Sequence, residues 1–441
     1  MSSIKTRTRI KDLITWICRL ITGGVFLFSG FVKAIDPWGT IYKFNDYLAV
    51  FGWDIGEGLV FAGVTMLCMF EFLTGAFLVT GSFRKAAPVM ATLMMVVMTP
   101  LTLWIAIYDP VPDCGCFGDA LVISNWATFW KNVGICGAVV WLLIHNRRTH
   151  WLITPSLQWL GFVADVAFVG VVGAIGYFYQ PLIDYRPYKV GLPLINLTDE
   201  AHEPQFSFIY EKDGISKEFG LDDELPDESE GWRFVERKEL PAKGPLSQKS
   251  GDGRNLVVTD MDDNDITSQV VEQSGAQFLL LMPDISEVSP ASSYQINSMQ
   301  GFAQEHGIGF AAIVSGSSEE ISRWKDLSLA RYPIYTSEDT TIKEIARGNP
   351  AVVYLEDGTV VWKSTLRSLP YDDFLSQKIV EDPRQYAFDN SSILRNIVLI
   401  YISVIAVVIL LSFSPKVKDM FTLSSIRFKK INPDDSNQKL K

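Results

Sequence analysis

An α-helical membrane bundle carrying an extracytoplasmic α/β domain is the fold class that this 441-residue sequence predicts. Three observations predict it. Six apolar runs are long enough for the roughly 20-residue helix that crosses a hydrocarbon core of about 30 Å. Lys and Arg are rich in every second loop between those runs and poor in the others. Residues 185–390 have the polarity of a water-soluble domain, although the whole chain is 48% hydrophobic with a mean hydropathy of +0.16.

The runs lie at about 12–34, 57–81, 86–108, 125–145, 157–180 and 393–414. The first is too long for a signal-peptide core and has no small-residue cleavage site after it, so it reads as a retained helix. The third contains Pro100, which is expected to kink it or break one hydrogen bond. Positive charge gathers in the N-terminal tail (Lys5, Arg7, Arg9, Lys11), after the second run (Arg84, Lys85), after the fourth (Arg147, Arg148) and in the C-terminal tail from Lys416 onward. Residues 35–56 hold only Lys43, and 109–124 hold neither Lys nor Arg. Placing both termini in the cytoplasm puts every cluster on one side. The expected location is therefore a bacterial cytoplasmic (inner) membrane, with the 109–124 loop and the 185–390 domain outside. The net charge is −11 and acids concentrate in the soluble part, as in L-D-D-E-L-P-D-E-S-E at 221–230, which argues against nucleic acid as a partner.

The soluble part reads as alternating strands and helices, hence a layered α/β domain. A-Q-F-L-L-L-M is a buried strand, 291–306 a helix, and G-I-G-F-A-A-I-V-S a second strand. S-S-E-E-I-S-R-W-K-D-L opens with a Ser/Glu capping pattern and continues as a helix. Two β-rich runs meet at Asp357-Gly358, a hairpin signal. Residues 185–254 are rich in Pro, Gly and charge and read as an extended or small β-rich connector. The predicted division is 1–150 for a four-helix membrane domain, 151–184 for a fifth membrane helix, 185–254 for the connector, 255–390 for the α/β domain, and 391–441 for a sixth helix with its tail.

Three ordered segments carry a family resemblance: S-G-F-V-K-A-I-D-P-W-G at 29–39, which closes the first helix with a lysine and an Asp36-Pro37 turn, E-F-L-T-G-A-F-L-V-T-G at 71–81, and D-C-G-C-F-G-D at 113–119. Together they resemble the DoxX-like superfamily, and within it the methylamine-utilisation protein MauE and its relatives, over about residues 10–145. The resemblance implies a four-helix membrane bundle linked to redox or disulfide chemistry. The order of elements over about 255–365 resembles a thioredoxin-like fold, with Pro350 where that fold carries its cis-proline beside a peptide-facing groove. This chain departs from that fold where C-x-x-C is placed: after F-L-L-L-M it has P-D-I-S-E-V-S-P and no thiol. The domain then reads as a binding module.

All five cysteines precede residue 137. Cys114 and Cys116 flank one glycine in a loop expected to face an oxidising space. A disulfide across a single residue is strained, and strained, exposed disulfides exchange readily. Asp113 and Asp119 would oppose a low thiolate pKa, and Lys131 would partly offset them. Three readings stay open for the pair: redox-active, structural, or metal-binding. Cys68 and Cys136 both fall about 15 Å deep, counted at about 1.5 Å per residue, and form a possible second thiol pair; otherwise they are packing residues. Cys18 reads as inert. Arg19, Glu71 and Asp165 are ionisable groups at roughly 10, 15 and 12 Å from the cytoplasmic face, for which mutual pairing and outward snorkelling of Arg19 are equal expectations.

The functional expectation is a membrane redox-associated protein. Cys114 and Cys116 would exchange with an extracytoplasmic protein partner held by the thiol-free domain, with a membrane quinone as the candidate carrier. A different class competes with it: a non-enzymatic assembly or chaperone factor in which these cysteines are structural.

Overall fold

The computed structural model describes residues 2–53, 55–111, 114–146, 150–195, 206–212, 215–219, 233–239, 256–271, 274–369, 383–387 and 389–414. Asp113, the acidic run at 221–230, Arg147, Arg148 and the tail from 415 lie outside the described residues.

The membrane half contains α1 (Ser2–Ile35), α2 (Pro37–Val50), α3 (Glu57–Thr80), α4 (Ala86–Tyr108), α5 (Asn125–His145) and α6 (Gln158–Phe178). A final helix, α11 (Asn390–Phe413), follows the soluble part. Six of these, all but α2, are long and apolar enough to cross a membrane. Side chains from α1, α3, α4 and α5 share one core, with Phe26, Phe77, Ala91, Met95, Ile135 and Val139 at its centre. A second core packs α6 and α11 against the other face of α1 and α3 through Ile35, Phe72, Phe168, Val172 and Tyr401. Helix α4 runs through Pro100 without interruption.

The helix α2 was not expected. The sequence reading took Asp36-Pro37 as a turn. It is a helix start: the Asp36 carboxylate accepts from the Gly39 amide at 2.9 Å, and Pro37 takes the first helical position, where no amide hydrogen is needed. Ile41 and Leu48 bury against Val60, Val64 and Cys68 of α3, so α2 lies along the N-terminal half of that helix.

The described part of the 185–254 segment is more than a connector. Strands β1 (Phe206–Lys212), β2 (Ile215–Phe219) and β3 (Arg233–Glu239) form an antiparallel sheet in the order β2-β1-β3. Earlier in it, Leu194 is fully buried and its amide donates to the Gly358 carbonyl at 2.9 Å, so this stretch packs into the next domain.

That domain contains α7 (Thr267–Val271), β4 (Ala276–Met282), α8 (Ser293–Glu305), β5 (Gly309–Val314), α9 (Ser318–Ser328), β6 (Ile334–Thr336), α10 (Asp339–Ile345), β7 (Ala351–Glu356) and β8 (Thr359–Thr365). The sheet order is β6-β5-β4-β7-β8; β4, β5 and β6 are parallel, while β7 and β8 run antiparallel to their neighbours. The central strand β4 is buried on both faces. Phe278, Leu280 and Met282 point into the core under α8 and α9, and Leu279 and Leu281 into the core with α7 and α10. The capping box expected before α9 is present, with Ser317 and Glu320 bonding each other's backbone amides. Asp357 (φ 47°) and Gly358 (φ 72°) form the two-residue hairpin turn, both in the left-handed region that such turns require. The Asn349-Pro350 peptide is cis.

Candidate functional site

One end of the bundle collects the 114–120 loop, α2, the last turn of α6 and the α/β domain. The loop closes on itself where the Gly118 amide donates to the Gly115 carbonyl at 3.1 Å. Gly115 has φ +64°, and a Cβ there would stand 2.7 Å from Cδ of Lys43, whose side chain crosses over it from α2. Only glycine fits both requirements without displacement. Phe117 is buried and fixes the loop from below. Its ring packs 5.5 Å from that of Phe28, and Lys131 Nζ lies 4.1 Å from its centre.

Cys116 is buried and Cys114 half-buried. Interaction between the two sulfurs pushes the Cys116 thiol down; burial opposes it, and the charges of Lys131 and Lys33 add to the lowering. The same interaction, with burial, pushes the Cys114 thiol up. Asp119, the acid expected to oppose a low thiolate pKa, is ion-paired with Arg347 of the α/β domain.

Below the loop lies a buried polar cluster. Lys33 Nζ donates to both carboxylate oxygens of Glu71, at 2.7 and 2.8 Å. The Ser29 hydroxyl lies 2.8 Å from Glu71 Oε2 and 2.7 Å from the Cys116 carbonyl oxygen. Helix spacing puts Ser29 and Lys33 on one face, four residues apart. The expected grouping of Arg19, Glu71 and Asp165 is therefore corrected: equal depth did not mean equal direction. Arg19 is fully buried and donates to the carbonyls of Leu78 (2.9 Å), Val79 (3.1 Å) and His150 (3.2 Å). A guanidinium has five donors and suits the unpaired carbonyls at the C-terminal end of α3. Asp165 accepts from the Tyr401 hydroxyl at 2.7 Å, tying α11 to α6. The second thiol pair is corrected as well. Cys68 packs with Ile41 and Val64, whereas Cys136 packs in the four-helix core beside the Thr99 hydroxyl at 3.2 Å. Cys18 sits at the edge of that same core. Among the described residues no group of three or more His, Cys, Asp or Glu side chains is placed to hold a metal, so the metal reading has only the two loop sulfurs to draw on.

Arg347 joins the two halves. Its guanidinium donates to both Asp36 oxygens, at 2.6 Å in the shortest contact, and to Asp119 Oδ2 at 2.8 Å. Its backbone is held too, since Gln180 donates to the Arg347 carbonyl at 2.7 Å and accepts from its amide at 3.0 Å. Arg186 extends the contact by donating to Asp184 and to the Lys343 and Glu344 carbonyls at the end of α10. Asp184 also accepts from Lys363, whose ammonium burial pushes down to about 8 against the pull of that carboxylate. The sequence reading found none of Ser29, Lys33, Asp36, Arg186 or Arg347. Lys33 had a signal, a lysine inside an apolar run; Arg347 had none.

Between α2 and the α/β domain lies a cleft of about 780 Å³. Trp38, Tyr42, Trp53 and Tyr177 line the membrane side; Asp284, Glu287, Asn349 and Pro350 line the other. The thiols do not border it. The segment after β4, where a C-x-x-C would stand in a thioredoxin-like chain, forms part of its wall, and the Asn349 amide there bonds the Asp284 carbonyl at 2.6 Å.

The architecture is that of a multi-pass membrane protein with a fused mixed-sheet domain clamped over one bundle end. Comparison with known families makes the membrane half more particular. A model of the methylamine utilisation protein MauE matches residues 11–145, and a domain of unknown function (DUF8463) matches residues 204–243. Over the four-helix core and the cysteine loop the chain is thus similar to MauE. No curated protein and no solved structure matches it.

Proposed function

We propose that this protein is a membrane accessory factor that exchanges thiols and disulfides at Cys114 and Cys116 on the extracytoplasmic face, with its partner held by the α/β domain. The carrying observation is the asymmetry of the pair, a half-buried Cys114 beside a buried Cys116 whose carbonyl meets Ser29 and whose neighbour Phe117 carries Lys131 over its ring. In the oxidised form a partner thiolate attacks Cys114, the more accessible sulfur. The Cys114–Cys116 bond breaks, and Cys116 leaves with the electron pair as the better-stabilised thiolate. A mixed disulfide forms between Cys114 and the partner. The partner's second thiolate then displaces Cys114, which takes up a proton. Once Cys116 has taken up a proton as well, two electrons and, by way of solvent, two protons have passed from the partner dithiol to the pair.

Regeneration passes the same two electrons and protons to an acceptor, for which a membrane quinone is the class at hand. The clefts of about 780, 680 and 320 Å³ do not border the cysteines, so no residue is assigned to a quinone and no step is routed through it. We read the α/β domain, with the 255–390 boundary, as thioredoxin-like. Its sheet order and its helix-strand alternation support this. With no cysteine in it, the domain binds rather than reacts. We also read the bundle as DoxX-like in the wider sense, and both termini as cytoplasmic in a bacterial inner membrane. Reporters fused at residues 150 and 430 are expected to read cytoplasm, and one at 250 the outside; a cytoplasmic reading at 250 removes the oxidising compartment.

The deciding test is thiol trapping of Cys114 and Cys116 in cells, with and without respiratory blockade. The expected result is a mixed population that shifts toward the reduced form under blockade. A pair locked in one state under both conditions overturns exchange. In the purified reduced chain, Cys116 alkylation is expected to rise with pH about a midpoint below the ordinary thiol value of about 8.5, while Cys114 reacts only at higher pH. A Cys116 midpoint above that value removes the asymmetry.

A further inference from the structure

The Ser29, Lys33 and Glu71 cluster is buried, charged and unused by the exchange as written above. Lys33 and Glu71 are each 3% exposed at the side chain. Isolated, either charge is costly in the bilayer; paired, they form a fixed dipole beneath the cysteine loop. The dipole has a direct mechanical link to that loop. Ser29 Oγ lies 3.2 Å from Lys33 Nζ and 2.7 Å from the Cys116 carbonyl oxygen. Every element packed around Cys116 contributes a group. Cys114 comes from the loop itself, Lys131 from α5, Lys33 and Ser29 from α1, and Glu71 and the more distant Cys68 from α3. Lys43 reaches over Gly115 from α2, and Asp119 is held by Arg347.

We propose that Lys33, held by Glu71 and Ser29, is a positioning residue for the exchange, its ammonium group setting the charge that the Cys116 sulfur meets from the membrane side. This rests on the exchange reading. Mechanistically, Cys116 departs as a thiolate at the step that breaks its disulfide, and negative charge appears there at the edge of a low-dielectric bundle. Lys33 favours that charge and Glu71 opposes it. The pair thus balances the leaving sulfur between too little stabilisation and an inert, over-stabilised thiolate, since nucleophilicity falls as a thiol becomes more acidic.

The test uses the full-length reduced protein in nanodiscs, with iodoacetamide alkylation of Cys116 followed peptide by peptide across pH. Glu71→Gln keeps the shape and one acceptor oxygen for Lys33 but removes the negative charge and the second acceptor. Its Cys116 midpoint is expected to fall by about half a pH unit or more, about threefold in thiolate below the midpoint. Lys33→Gln is expected to raise it, and Lys33→Arg to restore it toward wild type. A purely structural role moves Glu71→Gln and Lys33→Gln in the same direction, through loosening of the loop, and that outcome overturns the proposal. So does an unmoved midpoint in Glu71→Gln. If Lys33→Gln fails to fold, Glu71→Gln and Lys33→Arg still decide it, because the first must fall and the second must stay. The readout needs no turnover. A locked pair in cells with opposite shifts here removes the exchange reading but not the electrostatic one, and a cycling pair without shifts does the reverse.

Discussion

Arg347→Met releases the α/β domain from the cysteine loop and lowers the stability of the intact chain by about 3–5 kcal/mol, the usual cost of removing one partner of a buried ion pair. An exposed pair would cost about 0–1 kcal/mol. The larger figure applies because the Arg347 side chain is 4% exposed and the Asp36 side chain 13%. Methionine fills the space and leaves Asp36 buried without its cation, while Asp119, 31% exposed, turns to water. Arg347→Lys recovers only part, since one ammonium cannot reproduce a fork that spans two carboxylates. Adding Asp36→Asn to Arg347→Met recovers part for a different reason, by removing the orphaned charge. The pH dependence has a definite sign. Burial raises the Asp36 carboxyl, but Arg347 and Arg186 overcome it and hold the group below the usual carboxylate range. The stabilisation is therefore complete above the unfolded value of about 3.9 and is lost as pH falls through the lowered folded value. Arg347→Met should lose that acid transition. Thermal melting and protease digestion of the full chain between pH 3 and 7 check both statements; a wild-type melting profile in Arg347→Met would show that the clamp contributes nothing.

The membrane spans were legible because about twenty consecutive apolar residues have few other uses. The α/β elements were legible for local reasons: β4 is an unbroken apolar run, Ser317 and Glu320 stand at capping distance, and Asp357-Gly358 suits only a tight turn. Other features needed a third dimension. Helix rise gave the depth of Arg19, Glu71 and Asp165 but not the side of the helix each faces, and the three turned to three different partners. Asp36-Pro37 was visible as punctuation, and its reading as a turn rather than a helix start hid α2. Arg347 bonds Asp36 across 311 residues of sequence, and no local pattern marks such a contact. The cysteine loop itself was plain in the sequence. Its electrostatic setting was not, because the acid beside it, Asp119, is paired with that distant arginine.

Gly30→Ala and Gly75→Ala are expected to be among the most damaging single-methyl additions in the membrane half. A Cβ at Gly30 would stand 2.4 Å from the Phe72 amide nitrogen and 2.8 Å from the Cys68 carbonyl oxygen; one at Gly75 would stand 2.3 Å from the Leu27 amide nitrogen. These are backbone atoms of the facing helix, so no side chain can rotate away and α1 and α3 must separate. Alanine is otherwise the better helix former by about 1 kcal/mol, so intrinsic propensity predicts stabilisation and packing predicts the opposite. Packing should win, because small residues at such crossings let backbones meet and hold helices together where water offers no hydrophobic drive. Overpacking costs about 1–3 kcal/mol where side chains can adjust, and more where backbones collide. Gly24→Ala and Gly63→Ala are the controls, with nothing within 4 Å of the added atom. The damage should also reach the site. Ser29 and Lys33 ride on α1 and Glu71 on α3, so parting the helices opens the cluster beneath Cys116. Gly30→Ala should then shift the pH profile of Cys116 alkylation in whatever fraction still folds, while Gly24→Ala leaves it in place. Melting midpoints for Gly30→Ala and Gly75→Ala equal to those of the two controls would show that the helices do not cross as closely as described.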